Sequence, residues 1–146
     1  MQEHFRKLER MYLNAPVQKI YTGIDIKIEE GRASFTLPVH EKFFHAAGSL
    51  HGSVYFRLLD DASYFSVSSF VEDVFLLTSS FQIDFIRPVS KGLLRAEGRA
   101  IHCGNKLYLA AADLFDERGK MIATGKGTFM RSEISLKSIE GYEKIK

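Results

Sequence analysis

A chain of 146 residues, 45% hydrophobic and 26% charged, suits one compact domain with a real core and excludes a disordered or low-complexity polymer. Its 20 Lys and Arg nearly balance 18 Asp and Glu, leaving a formal net charge of +2, and the basic residues are scattered along the chain, which argues against a nucleic-acid partner. Cys103 is the only cysteine, so no internal disulfide forms and a reducing, cytoplasmic setting fits. The N-terminal run MQEHFRKLERMYL lacks the apolar core of a signal peptide, and Arg57, Asp60 and Asp61 interrupt the longest apolar stretch, so no membrane span is expected.

In chain order, residues 2 to 13 carry Phe5, Leu8, Met11 and Tyr12 at spacings of three and four, which predicts an amphipathic helix ending before Pro16 and acting as a cap, not a site. From Val17 to Glu29 apolar and polar residues alternate, and the alternation resumes from Arg32 to Leu37 after Glu30-Gly31; this predicts a hairpin of two strands. Residues 39 to 51 break both periodicities and hold His40, His45 and His51, as expected of an ordered loop leading into a helix. Residues 52 to about 70 are apolar nearly all round, the mark of a helix enclosed by other structure.

Four strand-like segments follow, at about 74 to 86, 92 to 103, 106 to 115 and 120 to 131, with turn signals at Gly92, Gly104-Asn105 and Glu117-Arg118-Gly119. Cys103 is expected to be a small buried hydrophobe and His102 a surface residue. The polar tail, 132 to 146, is expected to fray. The whole reads as one domain over 1 to 146, with the first helix over 1 to 15. The order of helix, two strands, enclosed helix and four strands has no βαβ alternation. An α+β fold is predicted, with an antiparallel sheet of about six strands wrapped round one buried helix. Such a sheet leaves edge strands open, so pairing with a second copy is expected.

The stretch HAAGSLHGSVYFRLLDDAS, residues 45 to 63, carries the chemistry. His51 and Gly52 open the enclosed helix, where unpaired backbone N–H groups and the absence of a Cβ at Gly52 suit a carbonyl or oxyanion. Asp60 lies further along among apolar neighbours, where an unpaired carboxylate costs several kcal/mol. Asp60 and Asp61 are about 100° apart round the helix, and Arg57 is placed to pair with either. Periodicity does not separate the two. Eight residues of helix span about 12 Å, so Asp60 and Gly52 would act on one substrate only if they came from different chains.

These residues, with the phrases FQIDFIRPV from Phe81 and GKMIATGKGTF from Gly119, resemble the hotdog-fold thioesterases of the phenylacetic-acid-degradation type over about Val17 to Met130. The resemblance selects Asp60 over Asp61 as the carboxylate that activates water or attacks directly. It implies that Gly52 supplies the oxyanion donor across a dimer interface, and that Thr78 helps hold the water. His45 stands where the family usually has asparagine, and Ser53 where it has a second glycine. His51 is also a candidate for the catalytic site, expected to shape the loop by hydrogen bonding more than to act as a base.

The implied substrate is a medium-chain or aromatic acyl-CoA, contacted by Ser53, Arg99 and Lys106. The protein is expected to work as a homodimer or dimer of dimers without a cofactor. His40, His45, His51, His102 and Cys103 show no zinc-ligand spacing. Two other readings compete: a hotdog protein that binds acyl-CoA without hydrolysing it, and a hotdog hydratase or dehydratase. The last would need a histidine with an acid beside it.

Overall fold

Alternating hydrophobicity builds β1 (Asp25–Glu29), β2 (Arg32–Pro38), β3 (Val74–Phe85), β4 (Leu93–Cys103), β5 (Leu107–Phe115) and β6 (Met121–Ser135), and helical spacing builds α1 (Gln2–Asn14) and α2 (Gly52–Ser68). A computed structural model describes residues 1–143. All strand pairs are antiparallel and form one sheet in the order β1-β2-β4-β5-β6-β3.

The inner residues of β2, β4 and β5, among them Phe35, Leu37, Leu94, Ala96, Ala112 and Leu114, are buried with Leu58, Leu59 and Ala62 of α2 in one core. This is the hotdog arrangement, a sheet curled over one long helix. Small residues on β4 and β5 let α2 lie close to the sheet.

The two edges of the sheet differ. At β1, α1 lies along the edge. Glu9 accepts the Ile28 N–H (2.8 Å) and Arg6 donates to the Ile28 carbonyl (2.7 Å), so polar groups on this edge are satisfied by side chains. At the other edge, β3 pairs only with β6 among the described residues.

Three sequence expectations are corrected. The first strand does not begin at Val17: Pro16 opens a short 3₁₀ turn, Pro16–Lys19, and pairing starts at Asp25, because a residue without an N–H favours a helical start over a ladder. Cys103 is exposed, since it lies at the end of β4, past the helix that covers the sheet centre. The tail does not fray over its described part. β6 continues to Ser135, a 3₁₀ turn spans Leu136–Ser138, and Leu136 and Tyr142 are buried. Residues 144 to 146 lie outside the described part. No helix among the described residues is long and apolar enough to cross a membrane.

Candidate active site

α2 separates its two aspartates by what packs against each. Asp61 accepts from the Tyr12 hydroxyl (2.7 Å) and from Arg57 Nε (3.3 Å). Arg57 also donates to Gln18 Oε1 (2.8 Å), and its guanidinium lies 3.9 Å from the Tyr21 ring centre, a desolvated stacking geometry that favours arginine. Arg57 therefore belongs to Asp61. Burial pushes the Asp61 carboxyl up to about 6, although Tyr12 and Arg57 pull it back.

Asp60 has a single hydrogen-bond partner among the described residues. Thr78, on β3, donates to Asp60 Oδ1 at 2.9 Å, while Oδ2 takes no hydrogen bond from a described residue. Burial raises the Asp60 carboxyl above its ordinary value and the Thr78 hydrogen bond opposes the rise. In its ionised form the group has one oxygen free to accept a proton. Both aspartates lie on the wall of a cavity of about 560 Å3, which Tyr64, Phe65, Phe75 and Leu76 make largely apolar. That is a usual size for a small-molecule site.

The start of α2 offers a donor. His51 is its N-cap. Its Nδ1 accepts from the Ser53 N–H (3.1 Å) and lies 2.8 Å from the Ser53 hydroxyl, which places the neutral ring's proton on Nε2. The Val54 N–H is taken by the His51 carbonyl (3.1 Å). The Gly52 N–H has no partner among the described residues, and is the donor left open. Contrary to the expectation from sequence, the space where a Cβ would sit at Gly52 is not left open for a ligand. It is filled by the Phe85 ring, 2.9 Å from that point.

His45 lies nearby, in a tight turn closed by its N–H to the Ser49 carbonyl (2.9 Å) and held by the Ala47 N–H on its Nδ1 (3.1 Å). It shares a cavity of about 300 Å3 with Gly52, Tyr55 and Phe85, so its Nε2–H can serve as a second donor there. Neither His45 nor His51 is hydrogen-bonded to a carboxylate among the described residues, and the arrangement a hydratase would need is not formed. No group of three or more metal-type ligands occurs among the described residues.

The sequence-derived CoA contacts are not brought to this place. Arg99 pairs with Asp113 (3.2 Å) and is exposed, on the sheet face opposite the buried Leu94 and Ala96. Lys106 is exposed in the β4–β5 turn. Neither lines a cavity with Gly52. Ser53 is engaged with His51 as part of the helix cap.

Adjoining the Gly52 cavity, and sharing Arg87 and Pro88 with it, is a second cleft of about 420 Å3 that holds Lys91, Arg118 and Lys120 as well as Asp116 and Glu117. The signal available in the sequence was that the turns after β3 and β5 both carry paired basic residues, and antiparallel order brings those turns to one end of the sheet.

A family model described as Thioesterase superfamily matches residues 47–123. The acyl-coenzyme A thioesterase PaaI of Escherichia coli is 29% identical over 119 residues, covering 80% of this chain and 83% of its own length. A Saccharolobus solfataricus relative named for a proposed esterase activity is 24% identical over 142 residues, 94% of this chain and 100% of its own. The structure of the E. coli PaaI protein from the phenylacetic acid degradation operon superposes with a TM-score of 0.82 at 26% identity, covering 92% of this chain and 96% of the other.

Proposed function

This chain belongs to the thioesterase superfamily and is a thioester hydrolase of the hotdog, PaaI-like type, and from that premise we propose that it hydrolyses medium-chain or aromatic acyl-CoA esters with Asp60 as the reactive carboxylate. The observation that carries this reading is the Thr78–Asp60 hydrogen bond on the wall of a mainly apolar cavity, with Arg57 drawn away to Asp61.

In the general-base form, Asp60 Oδ2 takes a proton from water as the water oxygen bonds to the thioester carbonyl carbon. The carbonyl oxygen gathers charge at the Gly52 N–H, assisted by His45. The C–S bond then breaks, and the sulfur leaves as thiolate and takes up a proton, giving free acid and CoA. Direct attack by Asp60, through an anhydride that water then opens, uses the same groups.

Gly52 and Asp60 are about two turns apart on one helix, so the proposed site joins Gly52 of one copy to Asp60 of another. The edge of β3 supports this. It is the edge that α1 does not cover, and Phe85 and Ile86 at its end are 57% and 49% exposed, as suits a strand awaiting a second strand. CoA phosphates would rest at Arg87, Lys91 and Arg118 beside the Gly52 cavity, in place of Arg99 and Lys106. The single-domain reading of 1 to 146 and a cytoplasmic site of action belong to the same proposal.

The test is free-thiol release from short, medium, long and aromatic acyl-CoAs by wild type and by Asp60→Asn. A loss of about a hundredfold or more in Asp60→Asn is expected, the low end of what a general base supplies. Mixed dimers of Asp60→Asn with Gly52→Pro, which removes the N–H at the first helical position and makes the exposed Phe85 ring shift aside, should regain activity that neither parent has. Binding of acyl-CoA with no thiol release would instead favour the non-catalytic reading.

A further inference from the structure

The cavity beside Asp60 is walled by parts of the chain outside the family match. That match covers residues 47–123, whereas Met11, Tyr12 and Pro16 form one side of the cavity and Ile134, Ile139 and Glu140 another. The two ends of the chain also grip each other. Buried His4 donates from Nε2 to the Ser68 carbonyl (2.9 Å), which leaves Nδ1 to accept from the Tyr142 hydroxyl (2.8 Å). Arg10 donates to the carbonyls of Gly141 (2.7 Å) and Tyr142 (2.5 Å).

Gly141 lies directly on α1. Its φ is +92°, and a Cβ there would come 2.9 Å from the Met11 Cα and 3.1 Å from the Arg10 carbonyl oxygen. Only glycine meets both demands without strain. Arg10 and Gly141, which grip, are chain neighbours of Met11 and Glu140, which line the cavity. A change in the grip therefore moves the wall.

We propose that this clasp between the two ends of the chain gauges acyl length: Met11 and Ile139 bound the acyl site, and Arg10 and Gly141 are positioning residues that set how far it opens. The substrate class that follows is an acyl chain long enough to reach the clasp, not an acetyl group, which would leave most of a 560 Å3 cavity unfilled. The inference rests on Asp60 marking the reacting end of that cavity.

The experiment compares wild type, Ile139→Trp, Ile139→Ala and Gly141→Ala on butyryl-, octanoyl-, dodecanoyl- and hexadecanoyl-CoA. Turnover is measured directly, and binding by calorimetry with each change placed in an Asp60→Asn background. Ile139→Trp should lower the dodecanoyl-to-butyryl ratio of kcat/KM by about tenfold or more, the worth of roughly two buried methylenes. Ile139→Ala and Gly141→Ala should shift the preference the opposite way, with KM moving more than kcat.

If Ile139→Trp does not fold, the other two variants carry the test. An unchanged length profile in turnover and in binding overturns the clasp while leaving hydrolysis intact. Absence of turnover by wild type overturns the reading of Asp60, and the binding series then tests the clasp by itself.

Discussion

Asp60 and Asp61 are consecutive residues on one helix, and the two sides of α2 treat them differently. On the side of Asp61, Tyr12, Arg57 and Gln18 form a closed hydrogen-bonded cluster. On the side of Asp60 there is one hydroxyl, from Thr78, although both carboxyls border the same cavity. Both carboxyls are raised by burial. A carboxylate held by a cation and a second donor, as Asp61 is by Arg57 and Tyr12, is tied into structure, whereas one met by a single neutral hydroxyl keeps more reactive capacity. Residue type and burial alone do not distinguish these cases; partner count does.

The difference should be largest in activity. Asp60→Asn keeps the Thr78 partner and should leave the urea midpoint nearly unchanged while thiol release falls about a hundredfold or more. A variant that lost stability in proportion to activity would put Asp60 in the structural class with Asp61.

Asp61→Ala should do the reverse. It leaves the Arg57 charge without its carboxylate, on a side chain only 12% exposed whose Nη1 has no partner among the described residues, at a cost of about 3–5 kcal/mol by denaturation. Asp61→Asn, which still accepts from Tyr12, should cost less.

Proton linkage sharpens the contrast. The folded Asp61 carboxyl, at about 6, binds its proton more tightly than the unfolded one, with an ordinary value of 3.8. The folded state therefore holds more protons in that window. Stability from this group is fully present below about 4 and declines as pH rises through about 6. Urea midpoints across pH should show that decline in wild type, and a flatter curve in Asp61→Asn.

Thr78→Val removes the only hydrogen bond that favours the charged form of Asp60 among the described residues. The acid limb of kcat/KM should move to higher pH, with a loss on the order of tenfold at neutral pH, the scale of one hydrogen bond to a charged group. An unmoved limb would mean that Thr78 does not set the state of Asp60. The smallest effect is expected at the rim. Arg118→Ala should raise KM for acyl-CoA roughly two- to fivefold at low salt, as for an exposed charge pair, and the difference should vanish in high salt.

Much of the fold was legible because it rests on local periodicity. The enclosed helix was placed at residues 52 to about 70 and ends at Ser68, and the four later strands lie within a few residues of their expected limits. A polar side chain before a helix start is a capping signal, and His51 caps α2. The tail was misread as polar because its apolar residues, Leu136, Ile139 and Tyr142, recur at spacings of three within a charged background, a 3₁₀ pattern too short to register. Arg99 and Lys106 do not lie beside Gly52 of their own chain, because charge on a strand or in a turn does not say which end of the sheet, or which face, it will occupy.

The sequence by itself determined the elements, their order in two layers, and the presence of a carboxylate inside an enclosed helix, since hydrophobic spacing acts within a few turns of chain. Only the tertiary structure decided which aspartate is occupied and what closes the cavity. Those outcomes depend on Tyr12 reaching Asp61 across 49 positions and Arg10 reaching Gly141 across 131, contacts fixed by how the layers pack and carried by no local pattern.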